Sequence, residues 1–209
     1  EMFGDPATNP KGWEKLLFAN ITKVIHRYPT FYGQEYIEEG VPVVRISDIQ
    51  RNHILSKDLT RYVKVPRDFS EKFPLTILNS KDIVMAVRGD TTGKIGFVPD
   101  ELAGSNISPN LIRISPDSSK VNPYYLFSFL LMSGSNLKLF ITDTAKKSIT
   151  AKDFKSMFII VPPLPLQQEF AERVKEIEAE KERQAESGKK LDELFNSLMQ
   201  RAFKGELVA

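Results

Sequence analysis

Apolar positions recur at helical spacing over the last fifth of the chain. Phe170, Ile177, Gln184, Leu191 and Leu198 stand seven residues apart, and Val174, Lys181, Gly188, Phe195 and Ala202 form a second file four residues behind them. This is a seam of the a/d kind, apolar at both ends and polar at its centre. After Leu164-Pro165-Leu166 no further proline interrupts the run to Phe203. The pattern predicts one helix about 57 Å long at 1.5 Å per residue. A small domain cannot cover such a helix, so the stripe requires a second helix, from another chain or from a longer form of this one. Everything before it reads as a head on a rod.

Upstream, the period changes. Trp13, Leu16, Leu17, Ile21, Val24 and Ile25 make a short amphipathic segment that ends at Tyr28-Pro29-Thr30. Short β-branched runs follow, broken by Gly, Pro, Asn and Asp: 41–46, 48–49, 62–65, 82–87, 94–98 and 110–114. These read as strands. Asn122-Pro123 opens a helix from Tyr124 to about Met132, with proline at its first position. A second short helix is expected at 137–142, and a last strand from Met157 to Val161 stops at Pro162-Pro163. The fold class is α+β: a β-rich domain, then a long C-terminal helix expected to form an antiparallel coiled coil with a second helix. The expected boundaries are a Gly- and Pro-rich leader or linker over 1–12, a domain over 13–163 and the helix over 164–205.

Composition narrows the function. Of 209 residues, 41% are hydrophobic and 27% charged, which suits one folded domain with an appendage. No apolar run approaches the ~20 residues needed to cross a bilayer, and no signal peptide opens the chain. With no cysteine, disulfides and thiolate metal sites are excluded, and a cytoplasmic location is the simple expectation. His26 and His53 are the only histidines and make no ligand cluster. Residues 1–165 carry 21 Lys and Arg against 17 Asp and Glu, and residues 166–209 carry 8 against 10. A mildly basic head on a slightly acidic rod is compatible with nucleic acid without demanding it.

Two motifs invite catalytic readings and fail. Gly89-Asp90-Thr91-Thr92-Gly93-Lys94-Ile95 resembles a phosphate loop, but three residues rather than four separate its glycines, Ile95 replaces the magnesium-binding hydroxyl, and a strand pattern follows. It reads as a tight turn whose Lys94 and hydroxyls can touch DNA phosphates. Asn122-Pro123-Tyr124-Tyr125 resembles the target-amine motif of adenine methyltransferases. The second proline is missing and no glycine-rich cofactor loop lies upstream, while a capped helix start explains both residues. Nuclease patterns and Ser/His/Asp groupings are also missing, so the chain reads as non-enzymatic and as binding no cofactor.

Ile149-Thr150-x-x-Asp153-Phe154, a short apolar strand and Pro162-Pro163-Leu164-Pro165-Leu166-Gln167-Gln168-Glu169-Phe170 form a specific string. It resembles the junction in specificity subunits of type I restriction-modification systems, where a target-recognition domain meets a conserved long helix. Trp13 and the apolar pattern after it resemble that family's domain start, and Gly40 through Ile49 its first conserved strand. Lys81-Asp82-Ile83-Val84-Met85 through Gly93-Lys94-Ile95-Gly96 is similar to a further family segment, with Lys81 where glycine is usual. Leu191 to Phe195 and Arg201 to Leu207 resemble the end of the conserved helix. A full subunit has two domains and two helices, so this chain resembles a half-subunit or a truncated piece of one.

The resemblance implies that the head reads one half of a split site in double-stranded DNA and that the helix pair sets the distance to the other half. It also implies methyltransferase subunits as partners, which supply S-adenosylmethionine and the chemistry, and through them the restriction subunit. The expected DNA-binding residues are Thr91, Thr92 and Lys94 in the glycine turn, and Thr144, Lys146, Lys147 and Ser148 in a polar loop before the junction. Arg45, Ser47 and Arg88 are secondary candidates, with Asn106 and Asn110, and Arg61 and Lys64 belong to a cationic run that also reads as a solvated loop. Phe170, Val174, Ile177, Leu191, Phe195 and Leu198 are the expected interface of a homodimer. A coiled-coil adaptor for protein partners and a standalone adenine-N6 methyltransferase are the competing readings.

Overall fold

The computed structural model describes residues 2–5, 8–28, 35–50, 52–87, 91–133 and 150–205. Two units result: Glu1–Gln168, and Glu169–Ala209, which continues the final helix. In the first, the strands are β1 (Glu14–Leu17), β2 (Thr22–Arg27), β3 (Val41–Val44), β4 (Val63–Val65), β5 (Ile83–Ala86), β6 (Ile95–Phe97), β7 (Asn106–Ile107), β8 (Leu111–Pro116) and β9 (Phe158–Val161). The helices are α1 (Arg67–Glu71), α2 (Pro123–Met132), α3 (Ala151–Ser156) and α4 (Leu164–Phe203). The molecule is therefore α+β with a long C-terminal helix, as the hydrophobic pattern predicts.

Sheet order follows from burial. The four-stranded sheet runs β2-β8-β5-β6 and is antiparallel throughout. Its inner strands β5 and β8 are buried at every position; β5 is accordingly apolar throughout, while β8 also buries Arg113 and Ser115. A three-stranded sheet, β4-β3-β7, pairs β3 antiparallel to β4 and parallel to β7. Val44, Leu78, Val84, Ile107 and Leu111 belong to one buried cluster that joins the two sheets. A third, two-stranded sheet pairs Glu14–Leu17 against Phe158–Val161.

The amphipathic segment at 13–25 is thus two strands with a 3-10 turn between them. Its spacing suits a helix, but β8 and β9 capture both halves from more than 80 residues away. The strand expected to run through Arg45 and Ile46 stops at Val44, and a 3-10 turn takes Ile46–Asp48. Within the stretch expected as a leader or linker, the described residues 2–5 and 8–12 make contacts with the domain. Trp13 Nε1 donates to Phe3 O at 2.9 Å, Asn9 bonds Trp13 at both backbone atoms, and the Phe3 ring meets Tyr125 edge-on at 4.9 Å. The helix expected at 137–142 lies outside the described residues.

Two backbone positions explain themselves. A Cβ on Gly40 would stand 2.3 Å from Val65 O, so only glycine fits where β3 begins beside β4. Lys81 holds φ at 65°, at the site where the resembled family carries glycine. A left-handed conformation costs a side-chain-bearing residue about 1 kcal/mol or more. Lys81→Gly is therefore expected to raise stability by roughly 0.5–1 kcal/mol, read as a higher urea midpoint at unchanged slope.

Candidate functional site

The turn after β3 is built around one carboxylate. Asp48 accepts the Arg45 backbone amide at 2.8 Å, and its two oxygens receive Arg45 Nε at 3.3 Å and Nη2 at 3.2 Å. The Ser47 hydroxyl donates to the same group at 3.4 Å. Asp48 thereby caps the 3-10 turn and stretches the guanidinium along it. Three N–H donors of Arg45 remain outside these two side-chain bonds, and its side chain is 35% exposed against 12% for Asp48. Tyr62 lies within the field of this carboxylate: burial first, then the Asp48 charge, push its phenol up to about 12.

A second turn comes from the hairpin between β5 and β6. Gly93 takes φ 92° and its amide bonds Ala86 O at 2.9 Å, closing the turn over Thr91 and Thr92. Strand β6 follows Lys94 directly, so the described part of this segment, from Thr91 on, leads into a strand and not into a helix N-terminus. Lys94 then crosses to the first turn, its Nζ donating to Ile46 O at 3.0 Å over a separation of 48 residues. Beside it, His53 Nδ1 meets Ile95 O at 3.0 Å. Arg45, Ser47, Thr91, Thr92 and Lys94, expected as separate candidates, thus belong to two turns joined by one ammonium group. That group keeps two further donors.

Other candidates make their own bonds elsewhere, or lie outside the description. Lys64 sits on β4 and donates to Glu38 O at 3.0 Å, and Arg61 ends a 3-10 turn capped by Asp58. Asn106 is fully buried: its amide group donates to Thr76 Oγ1 and Tyr28 Oη, and its carbonyl accepts from Ser70 Oγ. That network removes Asn106 from any surface, and Asn110 sits in the turn before β8. Arg88 and the loop residues Thr144, Lys146, Lys147 and Ser148 lie outside the described residues. The sequence alone gave Asp48 no role; its one signal was an acid three residues after Arg45. His53 was legible only as a lone histidine, although its φ of 65° marks a turn.

Asn122 does what the helix-start reading requires. Its Oδ1 accepts from Tyr124 N at 2.9 Å, with Pro123 at the first helical position. Tyr125 is buried, donates to Ile160 O at 2.7 Å, and burial pushes its phenol far up. Neither residue is placed to grip an amine. Among the described residues no group of His, Asp and Glu is arranged to hold a metal ion, and no helix is long and apolar enough to cross a membrane.

On the second unit, described by itself, one flank of α4 carries ion pairs at helical spacing: Arg173–Glu169 at 2.6 Å, Arg183–Glu180 at 2.8 Å and Lys190–Glu186 at 2.8 Å. Phe170 and Val174 are half-buried. Ile177, Leu191, Phe195 and Leu198 are between 50% and 64% exposed, and Leu194, Met199 and Phe203 widen the uncovered stripe.

The family model of the type I restriction modification DNA specificity domain matches residues 10–204. The chain is 26% identical over 212 residues to the type I restriction enzyme EcoBI specificity subunit of Escherichia coli, covering 96% of this chain and 43% of that one. It is 27% identical over 175 residues to the MjaVIII specificity subunit of Methanocaldococcus jannaschii, covering 81% and 40%. Among solved structures, the HsdS subunit from Thermoanaerobacter tengcongensis superimposes with a TM-score of 0.60 at 20% identity, over 95% of this chain and 46% of that one. The type I restriction-modification S subunit from M. genitalium gives 0.57 at 14% identity. The chain spans less than half the length of the curated relatives it matches.

Proposed function

The chain belongs to the family of type I restriction modification DNA specificity domains, and on that premise we propose that residues 13–163 read one half of a split site in double-stranded DNA. The reading unit performs no chemistry itself. Helix α4, within residues 164–205, pairs lengthwise with a second helix and holds two such units at one separation. A second copy of the chain is the expected companion, antiparallel and related by a twofold axis, so that the apolar ends of one helix meet those of the other. Methyltransferase subunits are the expected partners in the cytoplasm; they bind S-adenosylmethionine, and the restriction subunit joins through them.

The observation that supports this most is the joining of the two cation-bearing turns by Lys94. Phosphate contacts give register and affinity, whereas base edges give sequence. A held Arg45 and a tethered Lys94 are cations whose positions are set before DNA arrives, which lowers the ordering cost of binding. Thr91, Thr92 and Ser47 supply neutral hydrogen-bonding groups beside them, the kind that reaches base edges and sugar. Arg88, Thr144, Lys146, Lys147 and Ser148 are further residues proposed to contact DNA, as are Arg61 and Lys64.

Fluorescence anisotropy with a mixed-sequence duplex tests the reading. Affinity is expected to fall steeply between about 50 and 200 mM salt, and Arg45→Gln/Lys94→Gln to lower the slope of log affinity against log salt by about two. Lys146→Ala/Lys147→Ala is expected to act the same way. A wild-type affinity indifferent to salt would leave the protein-binding adaptor as the better reading. Saturable binding of S-adenosylmethionine to the chain alone would favour the methyltransferase.

A further inference from the structure

Between β9 and α4 stand only Pro162 and Pro163, and Pro165 follows in the first turn of the helix. Proline locks φ, so three of four consecutive residues in this joint have little torsional freedom. The helix starts on the carbonyl of Pro163, which accepts from Leu166 N at 3.0 Å and Gln167 N at 3.2 Å. Next, the Gln167 side chain closes the joint from within. It is wholly buried, its Nε2 donates to Pro162 O at 2.6 Å, and its Oε1 accepts the backbone amide of Asn122 at 2.8 Å. Asn122 is the N-cap of α2, and its own Nδ2 donates outward to Gln168 Oε1 at 3.0 Å.

A buried amide is costly unless both its ends are bonded. Methionine would fill a similar volume, so filling space does not require glutamine here. What glutamine adds is a tie among three segments: the end of β9, the start of α2 and the first turn of α4. All these contacts lie within Glu1–Gln168.

We propose that Gln167 is a positioning residue that fixes the first turn of α4 and thereby the half-site separation the protein accepts. The proposal rests on the DNA-reading function given above. Gln167 is buried and touches no DNA; it acts through the helix. Leverage makes the effect large. A 40-residue helix is about 60 Å long, so play of about 3° at one end moves the other by about 3 Å, close to the ~3.4 Å of one base step. A joint that holds angle to within a few degrees is what a single permitted spacing requires.

Selection from a random-sequence duplex library, followed by sequencing of the bound pool, tests this with the full chain. Wild-type protein is expected to enrich a split motif at one spacer length. Gln167→Met is expected to enrich the same half-site sequences at two or more spacer lengths, a change that loss of stability alone does not produce. A single spacer length in the Gln167→Met pool would overturn the proposal while leaving the DNA-reading function intact. A wild-type pool enriched in a single unsplit half-site would overturn the proposal for this chain while keeping DNA reading. A wild-type pool with no enriched motif would remove the DNA-reading function itself. Should Gln167→Met fail to fold by circular dichroism, Gln168→Ala decides in the same way, since it removes the outer bond to Asn122 from an exposed position.

Discussion

Asp82→Ala is expected to cost the N-terminal unit about 3–5 kcal/mol, the largest single-residue effect on its stability. Asp82 and Arg113 face each other inside the four-stranded sheet region, Nε to Oδ2 at 2.6 Å, with side chains 1% and 5% exposed. Arg113 Nη1 also donates to Leu75 O at 3.1 Å, and Asp82 accepts Asn79 N at 2.8 Å. Burial pushes the Asp82 carboxyl above its ordinary value, against the Asn79 amide and the Arg113 guanidinium, which pull it down. Removing Asp82 leaves a guanidinium that cannot shed its proton buried without a counter-charge. Against a total stability of about 5–15 kcal/mol, that loss is about a fifth or more. Asp82→Leu/Arg113→Met is expected to recover most of it, because the pair itself gains little once its desolvation is counted. Urea midpoints of the single and double variants decide the matter: a double variant no better than Asp82→Ala would show that the pair carries stability by itself.

Leu191→Ser/Phe195→Ser/Leu198→Ser is expected to abolish pairing through α4. Burying one such side chain contributes about 1.5–3 kcal/mol, and an antiparallel dimer buries three from each helix. Loss of six comes to at least about 9 kcal/mol, more than the ~8 kcal/mol that holds a micromolar dimer together. Light scattering at tens of micromolar is expected to find the wild-type chain paired and the triple variant monomeric. The variant keeps its single-unit affinity for DNA but loses the gain from having two readers joined. A wild-type monomer at that concentration would dismiss the homodimer and leave pairing to a different helix.

The long helix was the easiest element to read, because its signal is local: a seven-residue repeat, a proline-marked start and no breaker before Phe203. Strand β5 was legible for a related reason, since it is covered on both faces and apolar at each position. Strand β8 showed itself through Leu111, Ile112 and Ile114, although it also buries Arg113 and Ser115. Where partners are distant, the sequence is mute. Strand β7 is two residues long and exists because Val43 and Val44 lie beside it. Its Asn106 reads as a turn residue until Ser70, Thr76 and Tyr28 are seen around it. Segment 13–25 carries an amphipathic spacing, and pairing with remote strands overrides it. The candidate site divides in the same way. Residue types picked out Arg45, Thr91, Thr92 and Lys94, but their connection rests on one bond from Lys94 to Ile46. The contribution of Asp48, which immobilises Arg45, has no signature in a single sequence.

Strand β1 lies beside β9, with Glu14 opposite Val161, three residues ahead of the start of α4. The polypeptide thus comes into this unit and goes out of it through the same doorway. A segment whose two ends are neighbours can be lifted from one chain and spliced into another without redirecting the flanking polypeptide. On the DNA-reading function proposed above, exchange of this segment between chains then demands compatible ends only. On that proposal, a new DNA preference would be reachable by one recombination event, where point substitution would need many.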